Sequence, residues 1–93
     1  MRIVYSPESI EDLSRLKEFI EKHNPQAAKR ISQSIIKGIK QLKTFPMLGV
    51  EVTRAPNPEM MRDLIIGNYV VRYLVYDETI YILRVWHHKE NRL

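Results

Sequence analysis

Ninety-three residues suffice for one domain with a single modest core, and leave no room for a dinucleotide-binding domain or a separate regulatory module. With 44% hydrophobic and 28% charged residues, the chain holds no run near the ~18 apolar residues of a membrane span and no basic leader ahead of an apolar stretch, so a soluble, unprocessed cytoplasmic protein is expected. The absence of cysteine excludes disulfide and thiolate chemistry.

The net charge of +4 is unevenly spread: residues 1–46 hold nine Lys/Arg against five Asp/Glu, and residues 47–93 hold six against six. Lys29, Arg30, Lys37, Lys40 and Lys43 supply most of the excess on a segment without acids. Such a stretch suits an acidic partner or a phosphate backbone, although charge runs on helices are as often solvated faces.

In chain order, residues 2–6 read as a short strand. Ser6, Pro7 and Glu8 combine a hydroxyl cap, a proline at the first helical position and an acid near the positive dipole end, which start a helix. Ile10, Leu13, Leu16 and Ile20, joined by Phe19, give that helix an apolar stripe. Asn24-Pro25 repeats the start signal. Ala28, Ile31, Ile35, Ile39 and Leu42 then define a second, longer helix, antiparallel to the first, which Pro46 and Gly49 close.

Residues 50–59 read as an irregular loop with a short edge strand, because Pro56 and Pro58 cannot donate to a ladder. Three β-branched and aromatic segments follow, ending near Ile66, Tyr76 and Trp86 and separated by Gly67-Asn68 and Asp77-Glu78, which predicts a meander. Alternation puts Tyr69, Val71, Tyr73 and Val75 on one face and Val70, Arg72, Leu74 and Tyr76 on the other. The expected architecture is α+β: an N-terminal strand and an antiparallel helical hairpin on one face of a mainly antiparallel sheet, in one domain spanning 1–93.

The chain closes on "HHKENR", with His87, His88, Lys89, Glu90 and Arg92 as ionisable groups beyond the last strand. His87 is expected to continue that strand and pack beside Trp86. Adjacent strand residues face opposite ways, so His87 and His88 share a pocket only if the strand has ended by then. A histidine pair without carboxylates at helical spacing makes a poor metal cage, so no metal is expected. Arg62 and Arg84 read as strand charges paired with Asp63, Asp77 or Glu78, or as target and phosphate ligands together with Arg72, His87 and Lys89. Tyr73 and Trp86 read as core aromatics.

The order of strand, "SPESIEDL", helix, "NPQAAKRI", helix, "FPMLG", then "MRDLIIGNYVVRYLVYDETIYILRVWHHKENR" resembles the RelE/ParE superfamily of toxins from bacterial type II toxin–antitoxin modules. It is closest to the ParE-like branch, and the likeness covers nearly the whole chain. The resemblance implies a growth-arresting toxin without cofactors, held in a hetero-oligomer by a cognate antitoxin with an acidic or amphipathic C-terminal segment. Lys29, Arg30, Lys37 and Lys40 are the candidate partner-binding residues.

Two mechanisms occur on this fold, so the resemblance leaves the target open. ParE-like members poison DNA gyrase, whereas RelE-like members cut messenger RNA on the ribosome. Members that cut commonly carry a basic residue where this chain has Val70, and Arg72 stands roughly 6–7 Å farther along the strand. His88 falls where some ribosome-dependent members use a histidine. In a nuclease, His88 and Glu90 would transfer protons and Arg92 would hold the phosphate, with Arg62 as an alternative clamp. Gyrase binding is the leading expectation and ribosome-dependent cleavage the alternative. A third possibility is an inactive relative that only binds antitoxin.

Overall fold

The structure, a computed structural model, describes residues 1–57 and 59–90. Strand β1 (Arg2–Tyr5) leads into helix α1 (Pro7–His23), whose cap is Ser6: its hydroxyl accepts the Ser9 amide at 3.0 Å and donates to the Leu83 carbonyl at 2.9 Å. One residue, Asn24, ends α1 and starts α2 (Pro25–Gln41). Its backbone N–H donates to the Ile20 carbonyl at 2.7 Å while its side chain accepts the Ala27 amide at 3.1 Å, so the two helices turn back on each other without a longer loop.

The sheet runs β1-β5-β4-β3-β2, with β2 (Val50–Glu51), β3 (Met61–Ile66), β4 (Tyr69–Tyr76) and β5 (Thr79–His87). Strand β1 lies parallel to β5 and the other pairings are antiparallel. The α+β architecture expected from the sequence is the one observed. Gly67, at φ +59°, occupies the first central position of the β3–β4 turn, where a two-residue hairpin needs a left-handed backbone.

Both helices pack on one face of the sheet, around Leu16, Ile35, Ile39, Leu42, Leu64, Val71, Tyr73, Val75, Ile80, Ile82 and Val85. The stripe of α1 is rotated from the expected one. Ile10 and Phe19 are 56% and 63% exposed, while Ser9, Asp12 and Leu16 face inward. Tyr73 is fully buried, and its hydroxyl accepts the Gly49 amide and donates to the Pro46 carbonyl, each at 2.8 Å. The "FPMLG" segment thus grips a core tyrosine through its backbone. An added Cβ at Gly49 would stand 2.8 Å from the Tyr73 ring and 2.9 Å from the Asp63 carbonyl, so only glycine fits.

The register of β4 on β5 slips once. Arg72 faces Arg84 but Tyr73 faces Ile82, leaving Leu83 as an extra residue in β5. The bulge keeps Ile82 and Val85 on the same, helix-covered face, although they stand three positions apart, and it sends Trp86 to the opposite face across from Val70. That opposite face carries Val4, Tyr81, Leu74 and Met61 in one cross-strand row, with Trp86, Val70 and Ile65 in another.

Candidate functional site

Strand β5 outruns its parallel neighbour. Its pairing with β1 stops at Ile82, so the last turn of the strand needs another partner for its edge. Asp12, on the inner face of α1, supplies it: the carboxylate accepts the Val85 amide at 2.9 Å and two guanidinium N–H groups of Arg84 at 2.8 and 3.0 Å. Burial alone would raise the Asp12 pKa. The hydrogen bonds from Arg84 and Val85, the Arg84 charge and a bond from Arg15 outweigh it and hold the carboxyl below the usual carboxylate range. Arg15 extends the network, lying 3.4 Å from Asp12 and 2.6 Å from Glu90.

These contacts frame a groove of about 520 Å³ between α1 and the end of β5, lined by Arg15, Leu16, Phe19, Ile20, Tyr69, His87, Lys89 and Glu90. Its floor is apolar and its rim carries charges of both signs. His87 sits edge-on to Tyr69 with ring centroids 5.1 Å apart, not beside Trp86, because adjacent residues of a strand face opposite ways and the bulge at Leu83 puts His87 on the helix-covered face. Since β5 ends at His87, the two histidines escape strand alternation and their rings stack at 4.7 Å. Burial, then the charges of His88 and Lys89, push the His87 pKa down, with Glu90 opposing them. His88 is exposed and tied to the sheet tip through its backbone N–H, which donates to the Asn68 carbonyl at 2.7 Å.

The remaining candidates do not converge there. Arg72 lies on the opposite face, clamped by Asp63 through two bonds of 2.8 and 3.0 Å and stacked over Trp86 at 5.0 Å. Arg62 reaches the carbonyls of Glu59, Met47 and Gly49 at 3.1, 3.3 and 2.9 Å and approaches Glu51 at 3.6 Å, so it pegs the chain on both sides of β2. Its expected pairing with Asp63, Asp77 or Glu78 is replaced by these partners, and that of Arg84 by Asp12. Lys29, Arg30, Lys37 and Lys40 are exposed along α2. Arg92 lies outside the described residues.

Sequence reasoning passed over Asp12, Arg15 and Tyr69. A signal was present: Asp12 stands four residues before Leu16, on the stripe that packs inward, where an acid must find donors. Among the described residues no group of three or more His, Asp or Glu side chains is arranged to hold a metal.

The family model of the ParE toxin of type II toxin-antitoxin system, parDE, matches residues 3–92. The chain belongs to the ParE toxin family. Membership makes it the toxin component of a type II toxin–antitoxin module and implies a cognate antitoxin. The chain is similar to Toxin RelE2 of Caulobacter vibrioides, 24% identical over 86 residues that cover 92% of this chain and 93% of that one. In fold it is similar to a chain of the chromosomal ParDE toxin–antitoxin system from P. aeruginosa, with a TM-score of 0.78 at 19% identity, covering 94% and 95% of the two chains. No helix among the described residues is long and apolar enough to cross a membrane.

Proposed function

We propose that this ParE-family toxin arrests growth by binding DNA gyrase in the cytoplasm, and that it is not itself a nuclease. What carries the reading is that Arg72 and Glu90, two of the groups a metal-free nuclease would use, are held in other pairings. RNA cleavage needs a base, an acid and a phosphate-binding cation within hydrogen-bond reach of one another. Here Arg72 is paired with Asp63 on the face opposite His87, Val70 is buried, and Glu90 is engaged by Arg15 at 2.6 Å. The groove and the His88-Lys89 segment beside it suit protein recognition, with an apolar floor and a charged rim.

The antitoxin is proposed to lay an acidic, amphipathic segment along α2. That helix exposes Lys29, Arg30, Lys37 and Lys40 around the partly exposed Ile36 and has no acid in its first turn. Reversal of Lys37 and Lys40 to glutamate should leave the fold intact, since exposed helix charges change stability by less than ~0.5 kcal/mol, and should slow association with the antitoxin. Unchanged association would remove α2 from that interface.

Induction of the chain alone distinguishes the two targets. Gyrase poisoning predicts a DNA-damage response and filamentous cells while bulk transcripts persist. Loss of messenger RNA ahead of any damage response would favour the endoribonuclease alternative with His88 at its centre.

A further inference from the structure

We propose that Arg15 is a positioning residue for the C-terminal segment: by gripping Glu90 it aims His88 and Lys89 at the target, and it is itself set in place by Asp12. The inference rests on the reading that this segment meets the target.

Beyond His87 the chain has left the sheet. His88 donates its backbone N–H to the Asn68 carbonyl at 2.7 Å, Glu90 donates to the His87 carbonyl at 2.8 Å, and Lys89 donates to the His87 ring nitrogen at 3.1 Å. These bonds hold the segment to the tip of the sheet, but all lie within the tip, so they do not fix its angle to the rest of the molecule. The Arg15 guanidinium does. One Nη lies 2.6 Å from a Glu90 carboxylate oxygen, and the other reaches both Glu90 at 3.5 Å and Asp12 at 3.4 Å. Asp12 is 4% exposed and locked to the Val85 amide and to Arg84, so Arg15 stands on an anchor fixed by the β5 backbone.

The bridge also forms part of the groove's lining, joining α1 to the segment beside Leu16, Phe19 and Tyr69. Since Arg15 is nearly half exposed, the pair contributes little to global stability, and its effect falls on the orientation of a short segment. Ordering such a segment before binding removes part of the entropy cost of association.

The test compares Arg15→Glu, Glu90→Arg and the double exchange Arg15→Glu/Glu90→Arg with the parent. Growth arrest is measured at matched soluble protein levels, alongside inhibition of purified gyrase, thermal midpoints and amide exchange at Lys89 and Glu90. Each single change is expected to weaken growth arrest by up to about fivefold, the most that an exposed pair is worth. Exchange at the tail should speed up while the midpoint stays within a few degrees, and the double exchange should recover part of the lost activity, the remainder being lost because an acid at position 15 faces Asp12. Single variants that arrest growth as the parent does, or a double exchange no better than either single, would overturn the proposal. If growth arrest follows the rescue pattern but gyrase is untouched by the parent, the positioning role stands and the target assignment fails.

Discussion

The Asp12 carboxylate accepts the Val85 amide at 2.9 Å, so a side chain of α1 completes the edge of β5 where β1 has run out. The same carboxylate holds Arg84, which makes one acid the joint between the first helix and the strand that carries the tail.

Replacing Asp12 by alanine should therefore cost about 2–3 kcal/mol, from a buried amide left without a partner and lost charged hydrogen bonds, or roughly 10 °C or more in midpoint. Asp12→Asn keeps an acceptor for Val85 and should cost about half as much. Because the native pKa of Asp12 lies below its unfolded value, the stabilisation is fully present above about pH 4 and is lost as pH falls through the native value. Urea unfolding from pH 7 down to pH 2.5 should show the parent converging on Asp12→Asn at the acid end. A constant gap across that range would contradict the assignment.

The helical hairpin was legible because its ends carry local chemistry: Ser6 and Asn24 each accept the amide three residues on. The meander was equally legible, since Gly67 and the Asp77-Glu78 pair, at φ 50° and 59°, punctuate β-branched runs. Less visible was whatever depends on partners distant in sequence. The inward turn of Asp12 is set by the Val85 amide, and the Leu83 bulge reverses the faces of Val85 and Trp86 without a glycine to mark it. The tail was recognised as charged, but Arg62 and Arg72 were grouped with His87 and Lys89 as target or phosphate ligands. The fold sets Arg72 on the opposite face and gives Arg62 to a loop.

Tyr73→Phe should destabilise by about 1–3 kcal/mol, because the Gly49 amide and Pro46 carbonyl would both lose a buried partner. Tyr76→Phe, on an exposed tyrosine, serves as the control and should stay within about 0.5 kcal/mol. Thermal unfolding of the two variants decides the point, and equal midpoints would remove the tyrosine from its proposed role as the clasp of the 46–49 segment.

His87 should titrate below the ordinary histidine range, for burial and the neighbouring charges of His88 and Lys89 disfavour its cation. Its contribution to stability is present above about pH 6.5 and falls as pH drops through the lowered native value. Imidazole NMR titration should find that Glu90→Gln lowers the His87 pKa further and Lys89→Gln raises it. Movement in the opposite sense would mean that the groove rim is arranged differently.

The most direct test of the central claim uses the purified chain in two assays, supercoiling of relaxed plasmid by gyrase and messenger cleavage on ribosomes. Inhibited supercoiling with intact messenger is the predicted result, with inhibition weakened in graded fashion by His88→Ala, Lys89→Ala and Glu90→Ala. Ribosome-dependent cleavage that falls ~10²–10⁴-fold in His88→Ala alone, with gyrase unaffected, would contradict the account and make this member of the ParE family an endoribonuclease.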